Sequence, residues 1–219
     1  MGNLQIKNLR VPRPEFEVCV NDLKIDAGRV LGIVGRSGCG KSTLLNAIAG
    51  FEPLCSGEVI FGDKILSNLR PEARKVSIVF QRSALFSHLT VSENICFGLK
   101  IKKMAKSQQV ELASYWLSRL QISNLANRYP NELSGGEAQR VALARSLIVD
   151  FPVLLLDEPF SALDTDLKTE LRGWVKQIVK ERQLATILVS HDFDDIQELA
   201  DEFCKMEAGK ITELSKLRI

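Results

Sequence analysis

Apolar residues in the first stretch of the chain recur at nearly every second position: Leu4, Ile6, Leu9 and Val11, then Phe16, Val18, Val20, Leu23 and Ile25, up to a turn at Asp26-Ala27-Gly28. Period two marks strands with one buried face, so the pattern predicts an N-terminal β-rich layer. Residues 30–34, Val-Leu-Gly-Ile-Val, are apolar without alternation, as in a strand covered on both faces. A glycine-rich turn follows. Residues 41–49 then place Leu44, Leu45 and Ile48 at helical spacing and stop at Gly50, which suits a helix C-cap.

Further strands are predicted at 58–61, 76–80, 153–156 and 185–189, separated by helix-length stretches, which is the arrangement of a mainly parallel α/β sheet. A terminal hairpin is expected over 202–214. From about 91 to 128 the chain shows only helical periodicity, as in Val110, Leu112, Ala113, Trp116, Leu117 and Leu120. This predicts a helical subdomain, 83–130, inserted between two core strands and closed by Tyr129-Pro130, because proline disfavours helix in the residue before it. Residues 1–82 and 131–219 would then form the β layer and core of one domain.

Composition narrows the function classes. With 219 residues, 45% hydrophobic and 26% charged, the chain has the make-up of an ordinary globular protein able to bury a large core. Its 29 basic and 27 acidic residues leave a formal charge of +2, too little for the polycationic field of a non-specific nucleic-acid binder. Cys19, Cys39, Cys55, Cys96 and Cys204 show no paired spacing of the kind that holds zinc or forms a redox dithiol, which fits a reducing compartment. Residues 1–10 lack the apolar run of a secretory signal, and uninterrupted apolar runs such as 153–156 fall far below the roughly 20 residues that span a bilayer. At a membrane, other chains would have to supply the span.

Two segments carry chemistry. Gly35-Arg36-Ser37-Gly38-Cys39-Gly40-Lys41-Ser42 matches the phosphate-loop pattern, two glycines five apart followed by lysine and a hydroxyl residue. Glycines let the backbone turn its N–H groups inward, and the following helix adds the positive end of its dipole. Lys41 would bridge the β- and γ-phosphates of ATP, Ser42 would ligate Mg²⁺, and Thr43 continues the same wall. Downstream, Val153-Leu154-Leu155-Leu156 ends abruptly in Asp157-Glu158-Pro159. Beside a phosphate loop, Asp157 would hold Mg²⁺ and Glu158 would polarise the attacking water; without one, the pair would be an acidic turn. Cys39 lies within the loop, where helix-end N–H groups favour a thiolate, so a maleimide should label it in empty protein and Mg-ATP should block it. It is equally a small side chain that fits a tight turn.

Leu133-Ser134-Gly135-Gly136-Glu137 resembles the signature of ABC-type ATPases, with a hydroxyl and free N–H groups at the start of a helical pattern. The resemblance runs from about Leu4 to Thr212 and includes three more segments in the family's order. Gln81 resembles the glutamine that contacts Mg²⁺ and water. Ser161-Ala162-Leu163-Asp164 resembles the loop that crosses the dimer interface. Ser190-His191-Asp192 resembles the switch histidine at the γ-phosphate. What this implies is a P-loop NTPase with an N-terminal antiparallel β layer and an inserted helical subdomain. Two copies would form a homodimer in which Ser134, Gly135 and Gly136 of one face the phosphate loop of the other. Glu158, His191 and Gln81 would serve hydrolysis, and Ser42, Asp157 and Gln81 the metal. The family stacks adenine on an upstream aromatic; Phe16 is the nearby one, closer to Lys41 than usual and equally suited to the core.

The segment 83–94 resembles the groove that receives coupling helices of transmembrane permease subunits, particularly in importers for ferric iron, thiamine, polyamines and sulfate, although Leu85, Phe86 and Leu89 could be subdomain core. Ala49-Gly50-Phe51 and Pro159-Phe160-Ser161-Ala162-Leu163-Asp164 strengthen that resemblance. It implies a peripheral subunit at the cytoplasmic face of the inner membrane, served by a separate solute-binding protein. With the chain ending at Ile219, no C-terminal regulatory β-domain is expected. An exporter ATPase would carry nearly the same motifs. A soluble ABC ATPase would be expected to show a coiled-coil insertion or two cassettes, and a non-hydrolysing module to lack Glu158 or His191.

Overall fold

The computed structural model describes residues 2–211 and 215–216. In chain order the elements are β1 (Leu4–Pro12), β2 (Glu17–Ile25), β3 (Val30–Val34), α1 (Lys41–Ala49), β4 (Ser56–Phe61), β5 (Lys64–Ile65), β6 (Val76–Val79), α2 (Val91–Ile101), α3 (Lys106–Arg119), α4 (Gly135–Leu147), β7 (Val153–Asp157), α5 (Thr165–Glu181), β8 (Ala185–Val189), α6 (Phe193–Leu199), β9 (Glu202–Glu207), β10 (Lys210–Ile211) and β11 (Ser215–Lys216). The strands hydrogen-bond in the order β5-β4-β1-β2-β10-β9-β3-β8-β7-β6, with β11 also on β9.

The strands β5, β4, β1 and β2 pair antiparallel, and β10 then joins β2 in parallel. β1 pairs with β2 along its length, Leu4 opposite Ile25 and Pro12 opposite Glu17, and its other edge pairs with β4. The apolar spacing stretches from two to three between Ile6 and Leu9, yet both side chains are buried. A bulge accounts for it: the pairing with β4 slips by one residue between Lys7 and Arg10, and Asn8 adopts a φ of 48°. Opposite it, Gly57 has a φ of 89°, and a Cβ there would lie 2.3 Å from the Asn8 carbonyl oxygen, so only glycine fits.

The second half is the α/β core. β3 runs parallel to both β8 and β9, and β7 runs parallel to β8. Every residue of β7 and β8 is buried, which is why their sequences show no alternation. Leu44, Leu45 and Ile48 of α1 are buried in the same cluster as Ile33, Leu155 and Ile187. At the terminal hairpin, β9 and β10 pair antiparallel around Ala208-Gly209; residues 212–214 of the expected 202–214 segment lie outside the described residues.

The chain divides into two compact units, Met1–Ile78 with Phe151–Glu158 and Arg172–Ile219, and Val79–Asp150 with Pro159–Leu171. The expected helical segment 83–130 lies within the second, which also takes in α4. There, Thr90 and Glu93 form a capping box that starts α2, and Ile95, Leu99, Trp116, Leu117, Val141 and Ala144 are buried. The fully buried Asn94 organises the preceding loop: its Nδ2 donates to the carbonyls of Phe86, Leu89 and Thr90, and its Oδ1 accepts from the Phe86 N–H at 2.8 Å. Arg145 donates to the Ala84 carbonyl at 3.0 Å with its guanidinium 5.2 Å from the centre of the Phe86 ring. No helix among the described residues is long and apolar enough to cross a membrane.

Candidate active site

β3 delivers the chain into the loop of residues 35–40, and α1 begins at Lys41. A Cβ on Gly35 would sit 2.3 Å from the Met206 carbonyl oxygen, so the turn leaves the sheet only as glycine. Gly40 caps α1 with a φ of 109° and offers no side chain to the first-turn N–H groups, and that turn holds no acidic residue. These donors are therefore available to an anion at the positive end of the helix. Arg36, Ser37, Gly38 and Ser42 are exposed, Cys39 and Thr43 half-buried. Lys41 is buried, and its Nζ donates to the carbonyls of Gly35 and Arg36 at 2.7 and 2.9 Å. The cation is thus folded into its own loop, held by neutral acceptors that phosphate oxygens would outbid.

β7 ends beside this loop. The Ser42 hydroxyl hydrogen-bonds the buried Asp157 carboxylate. Burial is the largest influence on Asp157 and raises its pKa; the Glu158 charge adds to the rise, while the Ser42 bond and the Lys41 charge oppose it. A buried carboxylate that resists ionising, joined to a hydroxyl, suits a hard divalent cation that keeps several waters and shares phosphate oxygens.

Glu158 follows with a φ of 52°, a left-handed conformation worth about 1–3 kcal/mol of strain in a non-glycine residue. Its own N–H donates to the Val189 carbonyl at 2.9 Å, which fixes the turn against β8. Its side chain, 8% exposed, is held at both oxygens by His191: the His191 backbone N–H donates to Oε1 at 2.9 Å, and His191 Nδ1 lies 2.8 Å from Oε2. A carboxylate only accepts, so Nδ1 carries the hydrogen. The imidazole itself is 70% exposed.

The structure thus brings Lys41, Ser42, Asp157, Glu158 and His191 together in the first unit. Gln81 is exposed in the second unit, as are Ser134 and Gly135. Ser134 is the N-cap of α4: its Oγ accepts from the Glu137 N–H at 3.3 Å, and Glu137 Oε2 accepts from the Ser134 N–H at 2.7 Å. Hydrogen bonds to the carboxylate from the Ser134 backbone N–H, first, and from its side chain hold the Glu137 carboxyl below its ordinary pKa. A Cβ on Gly136 would lie 2.8 Å from the Ala162 carbonyl. Phe16 is half-buried against the core, its ring 3.1 Å from where a Cβ on Gly40 would be.

Sequence reasoning missed three polar side chains. The buried Gln139 on α4 donates to Ser161 Oγ at 3.2 Å and accepts from the Ala162 N–H at 2.9 Å, tying the signature helix to the 161–164 loop. Arg13 donates to Thr43 Oγ1 and to Glu52 Oε1. Arg172, buried on α5, pairs with Asp195 and also reaches Asp192 and Glu198. Gln139 and Arg172 were detectable in principle as polar residues on the buried side of helices; Arg13 gave no such signal.

The chain matches the ABC transporter family over residues 20–161. It belongs to that family. Among curated relatives, the sulfate/thiosulfate import ATP-binding protein CysA of Synechocystis sp. is 44% identical over 193 residues, 88% of this chain and 54% of the relative. A probable sulfate/thiosulfate import ATP-binding protein CysA of Chlorella vulgaris is 42% identical over 88% of this chain and 82% of its own length. The ABC chain thus spans little more than half of the Synechocystis relative. Two solved dimeric structures of the bacterial ABC transporter cassette MJ0796, one in a post-hydrolysis state with ADP and Pi, are 29% and 28% identical and superpose with TM-scores of 0.89 and 0.90 over 99% of both chains. The P-loop α/β fold with its antiparallel layer agrees with these cassettes.

Proposed function

We propose that this cassette binds ATP with Mg²⁺ and hydrolyses it to drive solute import through separate permease subunits. The observation that carries the reading is the Glu158 carboxylate, buried at the end of β7 and clamped by His191, in the same unit as the phosphate loop. A general base needs a carboxylate held in a fixed orientation, and the two-point grip of His191 fixes both oxygens of Glu158. Lys41 exchanges its carbonyl partners for β- and γ-phosphate oxygens, the free N–H groups of α1 bind the same anion, and Ser42 and Asp157 hold Mg²⁺ with Gln81. When bound, Mg²⁺ supplies charge neutralisation between the phosphates. His191, largely exposed, would contact the γ-phosphate through the ring edge not engaged by Glu158.

Ser134, Gly135 and Gly136 complete the site from a second copy, so ATP closes a homodimer and hydrolysis reopens it. Residues 83–94, ordered by Asn94 and Arg145, receive the permeases, and the subunit works at the cytoplasmic face of the inner membrane alongside a separate solute-binding protein. The names of its relatives favour import of an anion such as sulfate; the permeases and binding protein select the solute. The test is to isolate the protein from detergent-solubilised membranes, identify its companions, and measure Mg-dependent ATP turnover with and without them. Permeases of import type and stimulated turnover are expected. Recovery solely from cytosol, with a non-membrane partner, would overturn the transport reading.

A further inference from the structure

Arg13 stands between Pro12 and Pro14 in the short link from β1 to β2. The proline after it confines its backbone to extended conformations, and its N–H donates to the Phe16 carbonyl at 2.9 Å, which closes the turn. The side chain is thus presented from a stiff tip. Glu52 steers its guanidinium: Nη2 donates to Oε1 at 2.7 Å, and the two side chains are 31% and 27% exposed. Held there, Arg13 meets the first turn of α1, where Nε and Nη2 both donate to Thr43 Oγ1, at 3.1 and 3.0 Å.

A threonine hydroxyl has two lone pairs and one hydrogen. Arg13 engages both lone pairs, so what Thr43 has left to offer is its hydrogen. Bonds from a cation also polarise the O–H toward donation. Without them, the hydroxyl of a helical threonine readily turns its hydrogen back to a carbonyl of the preceding turn.

We propose that Arg13 is a positioning residue for the nucleotide: it commits the Thr43 hydroxyl as a hydrogen-bond donor to a phosphate oxygen at the positive end of α1. Glu52 offsets the charge of the guanidinium, so Arg13 acts through Thr43 and not as a cation in its own right. By this route the tip of the antiparallel layer takes part in binding. The inference rests on the reading of residues 35–43 as the nucleotide site.

The probe is Mg-ADP, which is not turned over, with Kd measured by titration calorimetry. Arg13→Met keeps the bulk of the side-chain stem and removes its donors. Kd should rise by about fivefold in Arg13→Met and by about tenfold in Thr43→Val, which deletes the hydroxyl, both within the range of a hydrogen bond to a charged group. Because one residue acts through the other, Arg13→Met/Thr43→Val should bind within about twofold of Thr43→Val, whereas independent contributions would multiply to about fiftyfold. Arg13→Lys, which still donates, should lie closer to the wild type than Arg13→Met. Should Arg13→Met not fold, Arg13→Gln, too short to span both partners, replaces it in the cycle with the same outcome expected. A turn that merely pins the hairpin would lower Tm in Arg13→Met and leave Kd unchanged. Wild-type Kd in that variant, or a multiplied loss in the double variant, would overturn the proposal. Failure of the nucleotide reading is seen separately: Lys41→Ala, which removes the cation of the phosphate loop, would then bind Mg-ADP as the wild type does.

Discussion

His191 holds both oxygens of Glu158, one through its backbone N–H at 2.9 Å and the other through Nδ1 at 2.8 Å. The two residues are therefore one mechanical unit at the ends of neighbouring parallel strands. A displacement of the imidazole reorients the carboxylate. Coupling of this kind explains why the left-handed turn at Glu158 is tolerated: β7, β8 and the His191 grip over-determine it.

Glu158→Gln removes the negative charge while keeping an acceptor for the His191 N–H. Turnover should fall by about 10²–10⁴-fold, the usual worth of a general base. ATP binding survives, because the phosphate loop is untouched, and the protein should accumulate as an ATP-bound dimer. Light scattering on a sizing column, with and without Mg-ATP, measures this. Normal turnover, or a monomer at saturating Mg-ATP, would reject the assignment.

Ser134 and Thr90 permit a matched comparison. Both are N-caps with a reciprocal glutamate three residues on, at α4 and α2. Alanine at either should cost about 0.5–2 kcal/mol of stability, measured by urea denaturation. Only Ser134→Ala should also weaken ATP-driven dimerisation, since only that hydroxyl is proposed to face a partner's nucleotide. Equal dimerisation in the two variants would leave Ser134 as a cap alone.

The cysteines form a built-in reporter. Burial pushes the Cys204 thiol up to about 12, and Cys96 is also buried and raised, so neither should react with a maleimide in native protein at neutral pH. Cys55 is exposed and should label with or without nucleotide. Cys39, half-buried in the loop with Lys41 Nζ 3.8 Å from its sulfur, should label in empty protein and be protected by Mg-ATP. Mass spectrometry of labelled peptides distinguishes them. Indifference of Cys39 to Mg-ATP would argue against nucleotide at residues 35–42.

Much of the fold was legible because its signals are local. Period two in β1 and β2, unbroken apolar runs in β3, β7 and β8, and Gly50 after α1 each follow from the chemistry of a few neighbouring residues. The phosphate loop was readable because its glycine, lysine and hydroxyl spacing is local, although the contact that forces Gly35, with the Met206 carbonyl, is long-range. The bulge at Asn8 appeared in sequence only as an irregular step, and the glycine that makes room for it, Gly57, lies on another strand. The pairing of Arg172, Asp195 and Ser190 was not legible, because α5, the end of β8 and α6 converge only after folding. Long-range polar pairing leaves no periodic trace.

Asp157 links stability to function with a definite sign. Its folded-state pKa is raised, chiefly by burial, so the native state holds that proton more tightly than the unfolded chain does. The associated stabilisation is complete below the ordinary carboxylate range and is lost as pH rises through the raised value. Above that value, without a metal, ionised Asp157 therefore works against folding. Asp157→Asn keeps the shape and an acceptor for Ser42 but has no charge to desolvate. Its Tm at pH 7 in Mg-free buffer should exceed that of the wild type, and the gap should close as pH falls toward 4. With Mg-ATP the order should reverse, because the wild type gains the stabilisation of bound ligand and the variant has lost a ligand to the metal. Scanning calorimetry at several pH values, with and without Mg-ATP, reads all three. A variant that melts lower than wild type in Mg-free buffer at pH 7 would show that the buried charge is already compensated within the protein.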